Sequence, residues 1–99
     1  MKTRKSKDIQ KTLTKKGFVL NPDKDHHKYY CLEVNGKTQA IYTYFSHGKN
    51  DYGNALMTAM KKQLKFRDTD KAESYFDCPM SKEMYLEMLR ENGDLKIDK

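Results

Sequence analysis

No stretch of this chain approaches the roughly 18 consecutive apolar residues that a membrane-spanning helix needs. The basic opening MKTRKSKDIQKTLTKKG is followed by no apolar run of the kind a secretory signal carries. Cysteine is scarce: Cys31 and Cys78 are far apart and neither has a CxxC neighbour, which argues against a zinc knuckle or a redox motif. Without an export signal the expected compartment is a reducing cytoplasm, where both thiols stay free. Internal repeats and low-complexity tracts are absent.

What is present is one small, polar, aromatic-rich domain. The 99 residues allow one modest core and no more. Hydrophobic residues make up 36% and charged residues 34%, yet 7 Tyr and 4 Phe are too many aromatics for a disordered chain. The net charge of +6 is uneven. Residues 1–67 hold 15 basic and 5 acidic side chains, a balance of +10, whereas residues 68–99 hold 5 and 9, a balance of −4. A basic body with an acidic tail suits a polyanionic partner for the body, although lysine is also a common solubility device.

Read along the chain, Ser6 is the expected cap of a first helix, with Asp8 in its first turn and Ile9 and Leu13 as an apolar stripe. Its other faces carry Lys7, Lys11, Lys15 and Lys16, and Gly17 ends it. Phe18-Val19-Leu20 reads as a short strand, and Asn21 to Asp25 as a turn. A second strand from His26 to Val34 meets Asn35-Gly36, the strongest short hairpin signal, and Lys37 to Phe45 returns. A two-residue turn predicts the pairs Val34–Lys37, Leu32–Gln39, Tyr30–Ile41 and Tyr29–Tyr42. Alternation then puts Tyr30, Leu32, Val34, Ile41 and Phe45 on a core face, and His27, Tyr29, Cys31, Tyr42 and Tyr44 on the other.

A second helix is expected from a cap at Asn50 or Asp51 to about Leu64, with Tyr52, Leu56, Met57, Met60 and Leu64 as its apolar positions and Lys61, Lys62 and Lys65 in its last turns. A helical turn can form through Ala72, Tyr75 and Phe76. Ser81 then caps a third helix weighted by Met84, Leu86, Met88 and Leu89 and ended by Asn92-Gly93, after which Asp94 to Lys99 are expected to fray. The methionines read as core filler. The predicted class is α+β: an α-β-β-β-α, double-stranded-RNA-binding-like layout with a three-stranded antiparallel sheet, helices on one face, and a C-terminal helix added.

Three segments of the first 66 residues resemble the HicA family of toxins. Ser6 to Leu13 with Lys15-Lys16-Gly17-Phe18 is similar to that family's opening helix and Gly-aromatic pair. Asp25-His26-His27-Lys28-Tyr29 resembles its Gly-Ser-His-His-x-Tyr signature, and Ser46-His47-Gly48 with the helix through Lys61-Lys62-Gln63-Leu64 resembles its His-Gly segment and final helix. The resemblance implies a HicA-like domain over residues 1–66, with residues 67–99 a C-terminal helical extension packed on it or trailing it. It also implies an mRNA interferase of a toxin–antitoxin system, neutralised by a HicB-like antitoxin.

By the same resemblance His26 is the catalytic residue. An imidazole titrating near neutrality can take a proton from a ribose 2′-hydroxyl or give one to a leaving oxygen, so neither metal nor cofactor is expected. RNA contact is assigned to Lys15, Lys16, His27, Lys28, His47, Lys61 and Lys62. Two features depart from the family: Lys24-Asp25 stands where it has Gly-Ser, and the acidic tail has no counterpart in its short members. The alternative is a non-catalytic RNA-binding or protein-interaction module on the same fold. Tyr29, Tyr42 and Tyr44 could stack on bases, but cross-strand pairing explains them without a ligand. A histidine metal site is disfavoured because neighbouring strand residues point to opposite faces.

Overall fold

Gly17 turns the chain from helix to sheet. Its φ of +100° lies where side chains are strained, and a Cβ there would meet Lys82 Cε at 3.1 Å and Leu32 Cδ1 at 3.4 Å. The computed structural model describes residues 1–22, 27–46, 50–77 and 79–95, the side chains of Pro22, His27 and Ser46 excepted. Before Gly17 comes α1 (Ser6–Lys15), which buries Ile9, Thr12 and Leu13; after it, β2 (Phe18–Pro22) leads to β3 (His27–Val34) and β4 (Lys37–Ser46). These three strands form an antiparallel sheet in the order β2-β3-β4.

The hairpin turns at Asn35 and Gly36, both with positive φ, and Val34 faces Lys37 as predicted. The register then departs from expectation. A bulge between Cys31 and Glu33 sets Cys31 opposite Tyr42, Tyr30 opposite Thr43 and Tyr29 opposite Tyr44, a slip of two residues on β4. Because side chains alternate with period two, a slip of two leaves the faces unchanged. Phe18, Tyr30, Leu32, Ile41, Thr43 and Phe45 are buried under the helices, whereas Val19, Tyr42 and Tyr44 are exposed on the far face.

Two start signals are displaced. Ser6 is the first helical residue rather than the cap; its N–H donates to Asn50 O (2.8 Å) and its Oγ accepts from Gln10 Nε2. The reason lies in a small second sheet: β1 (Arg4–Lys5) pairs with β5 (Asp51–Tyr52), drawing Asp51 and Tyr52 into a strand. The second helix, α2 (Asn54–Gln63), therefore starts after Gly53 and buries Met57 and Met60, while Leu56 is exposed.

The acidic tail is part of the core. Asp68 caps α3 (Thr69–Phe76) by accepting from Asp70 N, and Ser81 caps α4 (Lys82–Glu91) by accepting from Met84 N. Tyr75 and Tyr85 are wholly buried, their ring centroids 4.8 Å apart, and Phe66 lies 5.3 Å from each. Phe18 joins this cluster at 6.0 Å from Tyr85, which ties the sheet to the tail. Tyr85 Oη donates to Leu64 O (2.8 Å), and burial, aided by the charge of Asp94, pushes its phenol well up so that it stays a donor. Asp94 and Leu95, expected to fray, are held instead: both donate to Leu89 O, and Leu95 is buried.

Two cations of the basic body clasp the C-terminal end of α3, where the helix dipole is negative. Arg4, nearly buried, places its guanidinium 2.7 Å from Glu73 Oε1 and 3.1 Å from Asp77 Oδ1, with Phe76 beneath it. The Glu73 contact is an ion pair without hydrogen-bond alignment. Lys16 supplies the second: its Nζ donates to Tyr75 O and lies 4.6 Å from the centre of the Tyr75 ring. Among the described residues no helix is long and apolar enough to cross a membrane.

Candidate nucleic-acid interface

The exposed side of α1 carries Lys7, Lys11 and Lys15 at every fourth position, so each ammonium-bearing stem follows the last by about 6 Å along the axis. They border an open groove of about 520 Å³ whose remaining lining among the described residues is Gln10, Thr14 and Tyr30, with no carboxylate among these. Lys7, Lys11 and Lys15 make no ion pair among the described residues. Three cations along one groove attract a polyanion, and a concave, low-dielectric wall focuses that field.

The floor is fixed. Tyr30 Oη donates to Gln10 Oε1 (2.8 Å), Gln10 Nε2 donates to Ser6 Oγ (2.9 Å), and Thr14 Oγ1 donates to Gln10 O (2.9 Å). Desolvation raises the Tyr30 phenol, which keeps it a donor at neutral pH. A polar floor held by its own hydrogen bonds leaves the lysines as the mobile, adaptable contacts.

Lys28 extends this surface. It is exposed, and it stands two residues before Tyr30 on the same face of β3, opposite Phe45. That end of the strand starts at His27, whose backbone pairs with Ser46. His26 and His47 lie outside the described residues, as does the side chain of His27.

The lysines assigned to RNA fall into separate groups. Lys15 lines the groove. Lys16, its neighbour in sequence, does not: it is 6% exposed and its ammonium is committed to α3, because the next position on a helix is rotated by 100° and here faces the core. That placement corrects its assignment to phosphate contact. Lys62 is exposed on α2, while Lys61 is half-buried with Nζ donating to Thr69 Oγ1 (3.0 Å); neither lines the groove. Gln10 and Tyr30 carry no signal of binding in the sequence, whereas the four-residue spacing of Lys7, Lys11 and Lys15 is visible there.

The far face of the sheet is aromatic and nearly uncharged. Tyr29 has ring centroids 5.9 Å from Tyr42 and 5.5 Å from Tyr44, and Cys31 stands opposite Tyr42. These contacts are the cross-strand pairing expected of strand tyrosines. No three metal-ligating side chains come together among the described residues. Comparison with known proteins adds no identity: no family model matches the chain, and neither curated proteins nor solved structures give a match.

Proposed function

We propose that this protein binds RNA along the α1 groove and cleaves it with His26, as an mRNA interferase of the HicA type. The observation that carries the binding half is the lysine stripe Lys7-Lys11-Lys15 over the Tyr30 floor, without an ion pair among the described residues and continued toward the start of β3 by Lys28. The cleavage half rests on the likeness of Asp25-His26-His27-Lys28-Tyr29 to that family's histidine signature, in which His26 precedes Lys28 by two positions in the sequence. The order α1, β2, β3, β4, α2, with helices over one sheet face, is compatible with a double-stranded-RNA-binding-like fold extended by α3 and α4.

In this reading His26 takes the proton of a ribose 2′-hydroxyl and the 2′-oxygen attacks the adjacent phosphorus. The bond from phosphorus to the 5′-oxygen breaks, the leaving oxygen takes a proton from water, and the products are a 2′,3′-cyclic phosphate and a 5′-hydroxyl. Lys28 stabilises the charge that builds on the phosphoryl oxygens. A cognate HicB-like antitoxin would cover the same cationic surface.

The test is incubation of the purified protein, and of a His26→Ala variant, with unstructured RNA in the absence of divalent metal. Cleavage by the parent protein alone supports the proposal. Absence of cleavage by both, under conditions where RNA is bound, removes the catalytic half and leaves the alternative of a non-catalytic RNA-binding module, which the same groove supports.

A further inference from the structure

The acidic half of the molecule holds a groove of about 380 Å³ between α3 and α4. Its floor is Met80, Met84 and Met88, and Met84 is 54% exposed, the most exposed large apolar side chain of the described residues. Glu83, Glu87 and Glu91 also line it, as does Lys71 of α3. Glu83 and Glu91 make no ion pair among the described residues, and Glu87 pairs only with Arg90 on its own helix, at 3.4 Å.

Glu83, Glu87 and Glu91 repeat every fourth residue, as Lys7, Lys11 and Lys15 do on α1. Each set is therefore one ridge of its helix with a step of about 6 Å, and two such ridges interlock at a crossing angle of about −50°. Methionine is the side chain that best adapts to an irregular partner, and lysine stems lay their methylenes on apolar surface while the ammonium reaches an anion. Among the described residues no ion pair joins the two stripes within one molecule. We infer that the methionine-floored groove of α4 receives the α1 lysine stripe of a second copy of this chain, a head-to-tail contact in which Glu83, Glu87 and Glu91 occupy the places of RNA phosphates.

The contact is heterologous: each bound copy still offers a free α4 groove at one end and a free α1 stripe at the other, so assembly closes into a ring or continues as a chain. Exposed ion pairs contribute little singly and are screened by salt, so the association is weak, concentration-dependent and lost as the screening length falls to roughly 3 Å at 1 M salt. Its regulatory meaning rests on the RNA reading above: self-association and RNA compete for one lysine stripe.

The test is sedimentation velocity of the intact chain over a protein-concentration and salt series. The expected result is a rise from one copy to two or more at low salt and a return to the 11.7 kDa monomer at high salt. The variants Lys7→Glu/Lys11→Glu/Lys15→Glu and Glu87→Lys/Glu91→Lys, each checked for native circular dichroism, should each be monomeric, because like charges then face like. Their mixture should associate again, because both pairings are once more complementary. A parent protein that stays monomeric at every concentration, or a mixture that fails to associate, overturns the inference. Titration of single-stranded RNA into the parent protein separates the two claims. RNA binding without self-association sinks only this inference, whereas self-association that RNA neither binds nor dissolves sinks only the RNA reading.

Discussion

Lys15 and Lys16 are adjacent in sequence and opposite in consequence, and their substitution separates binding from stability. If RNA contacts Lys7, Lys11, Lys15 and Lys28, four phosphates are neutralised, and the logarithm of affinity for a single strand should fall against the logarithm of salt with a slope of about −2.8. Between 50 and 200 mM salt that is a loss of about fifty-fold. The triple variant Lys7→Gln/Lys11→Gln/Lys15→Gln leaves one contact, a slope of about −0.7 and a loss of about threefold over the same range. Being exposed, the three substitutions should each change stability by no more than about 0.5 kcal/mol.

Lys16→Ala should do the reverse. It removes a charge-assisted hydrogen bond to Tyr75 O, of about 1.5–3 kcal/mol, and about three buried methylenes at about 0.8 kcal/mol each. Release of the ordered lysine rotamers returns about 2 kcal/mol, so the net loss is about 2–3 kcal/mol, a Tm lower by about 10 °C or more in a domain of this size. Its salt slope should match the parent's. The assay is fluorescence anisotropy of a labelled single-stranded RNA in the His26→Ala background, beside urea denaturation of each variant. A triple variant that keeps the parent's slope, or a Lys16→Ala protein that loses slope without losing stability, refutes the assignment.

Two further predictions concern what holds the tail. Tyr85→Phe removes the donor to Leu64 O and leaves a buried carbonyl unpaired, so a loss of about 1–3 kcal/mol is expected. The neighbouring Tyr75 hydroxyl is buried without a hydrogen-bond partner among the described residues, so Tyr75→Phe should be neutral or stabilising; equal losses for both in urea melts would contradict this. At Asp77, burial acts to raise the carboxyl, but hydrogen bonds from Arg4 and Lys2 and their charges outweigh it and hold it below the usual range. Since the folded value lies below the unfolded one, the stabilisation is complete above about pH 4 and is lost as pH falls through the depressed value. Thermal midpoints should drop on that acid limb, and Asp77→Asn should flatten the drop; an unchanged limb in the variant would assign acid loss elsewhere.

Much of the fold was legible because it depends on local chemistry. The Asn35-Gly36 turn, the stop at Gly17 and the Ser81 cap are set by backbone preferences of single residues. The division of Tyr30, Leu32, Ile41 and Phe45 from Tyr29, Tyr42 and Tyr44 follows from alternation, which is why it outlasted the bulge that moved the pairing by two. The lysine stripe of α1 was likewise written in its spacing.

The remainder depended on partners distant in the chain. Ser6 lost its capping role because Arg4 and Lys5 pair with Tyr52 and Asp51, a contact between residues nearly fifty positions apart that no local preference reports. The acidic tail became half of one core because Tyr75 and Tyr85 meet Phe18 and Phe66. Lys15 faces solvent and Lys16 faces α3 for the same kind of reason. Sequence alone determined that this helix is basic, whereas which of its lysines remain free for an anion was decided only when the end of α3, with its exposed carbonyls and negative dipole, needed a cation.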